Sequence, residues 1–221
     1  KILTNAKYVW QYFTQETREP PHKPVYWPKG RMLGGSSSVN GMVFVRGSKA
    51  SWDEWRNLGC TGWGYDDVLP YFKKMEHRDG GDAAYRGQGG PITVTDVAHH
   101  SPVSEACKRA CNELGAPHLE DYNIGDNEGV ADLQMSIRDG LRCSTAVGYL
   151  KPARKRKNLT VQTDSLADKL IFEGNRCIGV HYLRHNKHLQ ARARREVILC
   201  AGSIESPAIL ERSGIGNPEN L

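Results

Sequence analysis

The sequence predicts an α/β chain, α+β in its overall mixture, from three observations. Glu196 to Cys200, EVILC, is a continuous apolar run of the kind that a parallel strand buried on both faces requires, and it leads into the small residues Ala201 and Gly202. Gly30 to Arg46, GRMLGGSSSVNGMVFVR, sets two adjacent glycines and three serines directly ahead of an apolar run. Leu170 to Phe172 and Cys177 to Leu183 are joined through Glu173, Gly174, Asn175 and Arg176, whose turn chemistry predicts a small antiparallel element.

Along the chain, Lys1 to Pro28 reads as irregular and extended, because Pro20, Pro21, Pro24 and Pro28 discourage long helices. A short helix is expected from Ser36. Trp52, Trp55, Leu58 and then Val68, Leu69, Tyr71, Phe72 and Met75 recur at helical spacing and read as core stripes. Pro91 to Val97 alternates as a strand does, and Val103, Ala106, Cys107, Ala110 and Leu114 outline an amphipathic helix closed by Gly115. Beyond it, Leu133 to Arg138 and Leu159 to Thr163 read as strands and Ser144 to Leu150 as a short helix. After EVILC, Ser206 is placed to cap a helix and Pro207 to open it.

With 221 residues, 38% hydrophobic and 25% charged, the chain can bury roughly 70% of its unfolded surface in one or two domains, which argues against disorder. A net charge of +5 gives no reason to propose a nucleic-acid partner. The densest basic cluster, Lys151 to Lys157 (KPARKRK), is open to three readings: a phosphate patch, an import tag or a solvated turn. The turn is preferred, because Pro152 interrupts a helix just before a strand start. Arg192, Arg194 and Arg195 read as an exposed hairpin face. The six cysteines show no CxxC spacing, so reduced thiols are the default, and neither the Cys107/Cys111 pair nor His99 and His100 completes a metal set. Asn158, Leu159, Thr160 is a glycosylation sequon, meaningful only in a secreted protein. No run reaches the roughly 20 apolar residues of a membrane span.

The glycine segment carries the most chemistry. Gly34 and Gly35 lack the side chains that keep a backbone away from a ligand, and Ser36, Ser37 and Ser38 offer capping oxygens and hydroxyl donors at a helix start. Free N–H groups there attract an anion, and Arg31 can add a fork of donors. A flexible Gly/Ser linker has the same composition. The flanks favour the phosphate loop, since Met32, Leu33, Val39, Met42, Val43, Phe44 and Val45 want a core. The junction at Ala201 and Gly202 is a second ligand-facing candidate, as open α/β sheets bind at strand carboxyl ends. Alone, it reads better as an ordinary strand-to-helix turn with close packing.

Two stretches, Gly30 through Asp53 and GSIESPAILERSGIG from Gly202 to Gly216, each resemble one signature of the glucose-methanol-choline (GMC) oxidoreductases, flavoenzymes that oxidise alcohols with FAD. YRGQGGPITV and SPAILERSGIG are similar to the choline-oxidising branch. The resemblance implies an incomplete FAD/NAD(P)-binding Rossmann-like domain of GMC type. Residues 1–221 would be its middle portion, with the first signature at 30–53 and the second at 202–216. The chain contains no GxGxxG, and the family's catalytic histidine lies beyond the second signature, so no catalytic residue is expected here. Gly34, Gly35 and Ser36, with Arg31, would face the pyrophosphate and ribityl part of FAD. Asn40, Gly41, Met42 and Val43 would pass the isoalloxazine, Ala167 would touch adenine through its backbone, and Ala201 and Gly202 would lie near the adenine end. Val39 stands where some relatives bind flavin through a histidine, so FAD would be noncovalent.

The implied reaction is oxidation of a CH–OH group by hydride transfer to flavin N5, with a small alcohol of choline type as substrate. Quinone, oxygen or a carrier protein would accept the electrons. The resemblance places the enzyme at the mitochondrial inner membrane, with secreted or bacterial cytoplasmic relatives as alternatives. A contrasting reading is a truncated, noncatalytic product acting as a binding or interaction module. A nucleic-acid binder using KPARKRK is a third.

Overall fold

A computed structural model describes residues 2–18, 21–125, 127–219 and 221, which form two compact units, Lys1–Arg156 and Lys157–Leu221.

In the first unit β1 (Val9–Phe13) pairs antiparallel with β4 (Tyr26–Gly30), and β2 (Thr17–Arg18) with β3 (Pro21–His22). The N-terminal stretch is thus more ordered than its prolines suggest. Pro28 sits opposite Gln11 in a two-stranded ribbon, where an edge position tolerates the missing N–H.

The paired helices have readable starts. In α1 (Lys49–Asn57) Ser48 Oγ accepts the Ser51 N–H at 3.2 Å, and in α2 (Tyr65–Met75) the Asp67 carboxylate reaches back to the Gly64 N–H at 3.0 Å. Trp52 packs edge-on against Phe72, with ring centroids 5.6 Å apart, and stacks with Trp63. The expected stripes are only partly buried, for Leu58 is 77% and Tyr71 72% exposed. α3 (Pro102–Glu113) follows the same capping rule, with Ser101 Oγ accepting from Ser104 N–H and Pro102 in the first turn. Its apolar stripe is not covered within the described residues, since Val103 and Leu114 are 72% and 88% exposed.

Short strands assemble the core. β5 (Glu76–His77) runs parallel to β6 (Ile92–Thr93), and β7 (Thr95–Asp96) pairs with β8 (Gln134–Met135). β9 (Ile137–Arg138) pairs with β10 (Leu141–Arg142) across the two-residue turn Asp139–Gly140, both at positive φ. The stretch expected to be one strand from Leu133 to Arg138 is therefore two. The chain changes sheets at Ser136, whose N–H goes to the Met42 carbonyl at 2.8 Å. Ile92, Val94 and Cys143 form the buried centre, with Phe44 and Met75 against it. A π-helical turn, Ala146–Leu150, and the short α4 (Lys151–Ala153) occupy the place of the expected helix. Gly148 lets that turn lie flush on β6, because a Cβ there would stand 2.5 Å from the Pro91 carbonyl oxygen.

The second unit is a three-stranded antiparallel sheet, β11 (Ser165–Glu173), β12 (Arg176–Arg184) and β13 (Lys187–Arg192), with α5 (Gly202–Arg212) against β11. The hairpin expected over Leu170 to Leu183 is present, longer at both ends. Two expected strands are corrected. Leu159–Thr163 forms no ladder, and neither does Glu196–Cys200, where Ile198 is 75% exposed. A strand exists only beside a partner, and among the described residues neither stretch has one. α5 also starts earlier than expected: Gly202 opens it, and Ser206 and Pro207 lie inside it.

Candidate functional site

Arg31 to Val43 is one continuous loop in the first unit. Gly34 (φ +88°) and Gly35 (φ +53°) are left-handed, and the expected helix after them is a single 3-10 turn, Gly35–Ser38, with no side-chain cap. Aligned peptide dipoles need more length, so the anion argument rests on exposed N–H groups alone. The serine hydroxyls hold the loop rather than face outward. Ser36 Oγ accepts the Gly30 N–H at 3.1 Å, Ser37 Oγ donates to the Gly34 carbonyl at 2.5 Å, and Ser38 Oγ donates to the Leu33 carbonyl at 2.9 Å. Arg31 is likewise engaged, its guanidinium 4.4 Å from the Trp10 ring centroid.

A Cβ added at Gly34 would come within 2.4 Å of Ser38 Oγ, so that glycine serves the turn itself. Gly35 and Gly41 differ: a Cβ on either meets nothing within 4 Å. Their backbone faces open space that a flat or phosphate-bearing group can approach. Beyond Asn40, Met42 takes φ +64°, and the chain becomes extended. Val43 (43% exposed) and Val45 (57%) point outward while Phe44 turns into the core, so only part of the apolar run packs as expected.

Residues far away in sequence fix this loop. The Thr145 N–H donates to Ser37 Oγ at 3.0 Å. Arg142 Nη1 donates to the Ser37 carbonyl at 3.1 Å and to Asn40 Oδ1 at 2.8 Å. Tyr122 OH and Asn123 Nδ2 donate to the Phe44 carbonyl at 2.9 and 3.0 Å, and burial raises the Tyr122 pKa. Arg46 ends the segment in a buried charge network. Its Nη2 donates to Glu76 Oε2 at 2.8 Å, Arg86 Nε lies 3.0 Å from Glu76 Oε1, and Arg86 Nη1 lies 3.4 Å from Asp121. Burial holds the Arg86 guanidinium below its ordinary pKa, and the Glu76 and Asp121 charges oppose that. None of these partners is among the residues picked out from sequence; the Asp139–Gly140 pair is the one signal that could have placed Arg142 on a returning strand.

His100, Glu105 and Asp132 bring ligand atoms within 4.8 Å of one another, but the Lys108 ammonium already binds there, 2.8 Å from Glu105 and 2.7 Å from Asp132. This is an ion-pair network. Hydrogen bonds to Asp132 and Glu105 raise the Lys108 pKa, and the hydrogen bond from Lys108 lowers that of Asp132. A depressed carboxylate pKa stabilises the fold above the unfolded value, and that contribution disappears as pH falls through the folded value. Asp132→Asn is therefore expected to lower Tm slightly near neutral pH, with the difference shrinking as pH falls below the ordinary carboxylate range, at about pH 4. Thermal melts of both proteins across pH check this; a constant offset would refute it.

In the second unit Ala167 pairs with Tyr182 on β11, just before a bulge. The Ala201 N–H donates to Ser206 Oγ at 3.0 Å, and Gly202 (φ +90°) has open space where a Cβ would stand. β11 packs on α5, and the Leu170 N–H meets Ser213 Oγ at 2.8 Å at the helix C-terminus. Ala201 and Gly202 mark its N-terminal end, and Arg212, which donates to the Asp168 carbonyl at 2.9 Å, also reaches back to Glu205 at 3.4 Å.

The fold is that of a flavoenzyme: the chain superposes on an FAD-dependent oxidoreductase from Chaetomium thermophilum with a TM-score of 0.90 and 29% identity, covering 96% of this chain and 39% of that one. Residues 16–221 match the GMC oxidoreductase family, and the chain belongs to it. It is 40% identical to the mitochondrial choline dehydrogenase of Homo sapiens over 219 residues, 99% of this chain and 37% of that protein. It is 41% identical to the oxygen-dependent choline dehydrogenase of Chromohalobacter salexigens, over 99% of this chain and 40% of that protein. The chain thus spans about two fifths of the length of these relatives. FAD is the cofactor of this fold and family, and the open backbone at Gly35, Gly41 and Gly202 fits it.

Proposed function

We propose that residues 1–221 are the middle of an FAD-dependent enzyme that oxidises the CH–OH group of a choline-type alcohol. The observation that carries this is a loop with open backbone at Gly35 and Gly41 in a chain about 40% identical, throughout its length, to choline dehydrogenases. FAD, when bound, would supply the acceptor for the electron pair that leaves the carbinol carbon. Gly34, Gly35, Ser36 and Arg31 line the approach of the pyrophosphate and ribityl portion. Asn40, Gly41, Met42 and Val43 present backbone and one amide side chain to the isoalloxazine, and Ala167, Ala201 and Gly202 serve the adenosine part. A histidine outside this chain takes the hydroxyl proton. The electron acceptor is a quinone, oxygen or a carrier, and the mitochondrial inner membrane is the proposed location. No helix among the described residues is long and apolar enough to cross a membrane.

The test is anaerobic mixing of the flavin-loaded protein, expressed at the length of its relatives, with choline. Bleaching of the flavin band supports the reading. Bleaching by another alcohol but not by choline overturns the substrate while leaving the cofactor in place. Because Val39 offers no nucleophile to the flavin, acid precipitation is expected to release all of it into the supernatant. Yellow colour retained in the washed pellet would refute noncovalent binding.

A further inference from the structure

Arg142 is fixed from behind. The hairpin that carries it turns at Asp139–Gly140, Arg138 donates to Thr93 Oγ1 at 2.8 Å and to the Pro91 carbonyl at 2.7 Å, and the neighbouring Cys143 is 2% exposed in the core. From that base Nη1 reaches the Ser37 carbonyl and Asn40 Oδ1. Asn40 Oδ1 also accepts the Met42 N–H at 3.0 Å, across a turn whose positive φ disfavours any residue bearing a Cβ.

Two donors thus converge on one oxygen. A guanidinium has no lone pair to offer and a backbone N–H none either, so the Asn40 amide can satisfy both only with its oxygen turned inward. Its NH2 group is left facing outward on an exposed side chain, with no acceptor among the described residues. Without Arg142 only the Met42 N–H holds the oxygen inward, and the amide is held less firmly against flipping or swinging.

We propose that Arg142 is a positioning residue: acting through Asn40, it sets the polarity of the amide beside the isoalloxazine, so that a hydrogen-bond donor faces the ring. The inference rests on the reading above that residues 40–43 pass the isoalloxazine. A fixed donor stabilises negative charge as the ring is reduced, which raises the midpoint potential and speeds reduction.

The experiment uses the flavin-loaded, full-length enzyme and the variants Arg142→Met, Arg142→Lys, Asn40→Ala and the Met/Ala double variant. Flavin content, visible spectrum, midpoint potential by dye equilibration, and kcat and KM for choline are measured for each. Arg142→Met and Asn40→Ala are each expected to lower the potential and to slow flavin reduction by at least about tenfold, the worth of one hydrogen bond to a charged group, with KM little changed. The double variant should be no worse than Asn40→Ala alone, because Arg142 works through that side chain. Arg142→Lys, which can still donate to Oδ1, should recover most of the potential, and it carries the test if the methionine variant does not fold.

If Asn40→Ala shifts potential and spectrum while both Arg142 variants match the parent, the positioning role fails and the placement of the loop stands. If no variant moves either quantity while flavin stays bound, the placement beside the ring fails and the proposal with it. Effects that simply add in the double variant also overturn it.

Discussion

Gly35→Val is expected to empty the flavin site without unfolding the chain. The glycine sits at φ +53° with nothing within 4 Å of the added Cβ, so no protein atom resists the new side chain and it projects into the open approach to the loop. Two penalties arise. A β-branched residue in the left-handed region costs about 1–3 kcal/mol, and the isopropyl group occupies space that the proposed cofactor needs. The free loop relieves this strain by leaving the left-handed region, and binding must restore it, so by strain alone flavin affinity falls roughly tenfold or more; with occlusion the purified protein should be nearly colourless. Gly35→Ala separates the two, carrying most of the strain with little of the bulk, and should keep a larger share of its flavin. Circular dichroism and Tm should stay close to the parent in both, because Phe44 still packs on Ile92, Val94 and Cys143. If the valine variant keeps full flavin, the loop is a packing turn.

The largest effect on stability is expected at Glu76. Its side chain is fully buried between two guanidinium groups that are each 1% exposed, and the Gly87 N–H also donates to it at 3.1 Å. Arg46 and Arg86 are balanced by Glu76 and Asp121. Glu76→Gln keeps the shape, removes one negative charge and aims an NH2 group at one of the arginines. Leaving buried charge uncompensated costs about 3–5 kcal/mol, a large share of the 5–15 kcal/mol that holds a typical domain. Urea denaturation monitored by tryptophan fluorescence measures the loss. A change below about 1 kcal/mol would mean that solvent or rearrangement screens the site, contrary to its burial.

The sequence reveals this molecule where its signals are local. Gly174–Asn175 marks the β11–β12 turn, Gly115 the end of α3, and the paired glycines a left-handed bend, each because a missing or short side chain has a consequence within a few residues. What it conceals is long-range. Arg142 meets Asn40 across 102 residues, and Glu76 collects arginines from 30 residues before and 10 after. No periodicity announces such pairs, since burial of a charge is decided by what folds around it. EVILC misleads for the opposite reason: its pattern is that of a covered strand, and cover comes from neighbours that pattern does not name. The candidate loop is legible as a place, then, and its supports are not.

The Glu196–Cys200 run has a consequence for handling the chain alone. Among the described residues its backbone has no ladder partner, and Ile198 is 75% exposed, so a second copy can pair its own run there. Each addition leaves a fresh edge of the same kind, so association by this route has no closed end point and grows with concentration rather than stopping at a dimer. Arg194 and Arg195, both exposed just ahead of the run, set like charges against one another in any parallel, in-register stack, and so act as gatekeepers that salt would weaken.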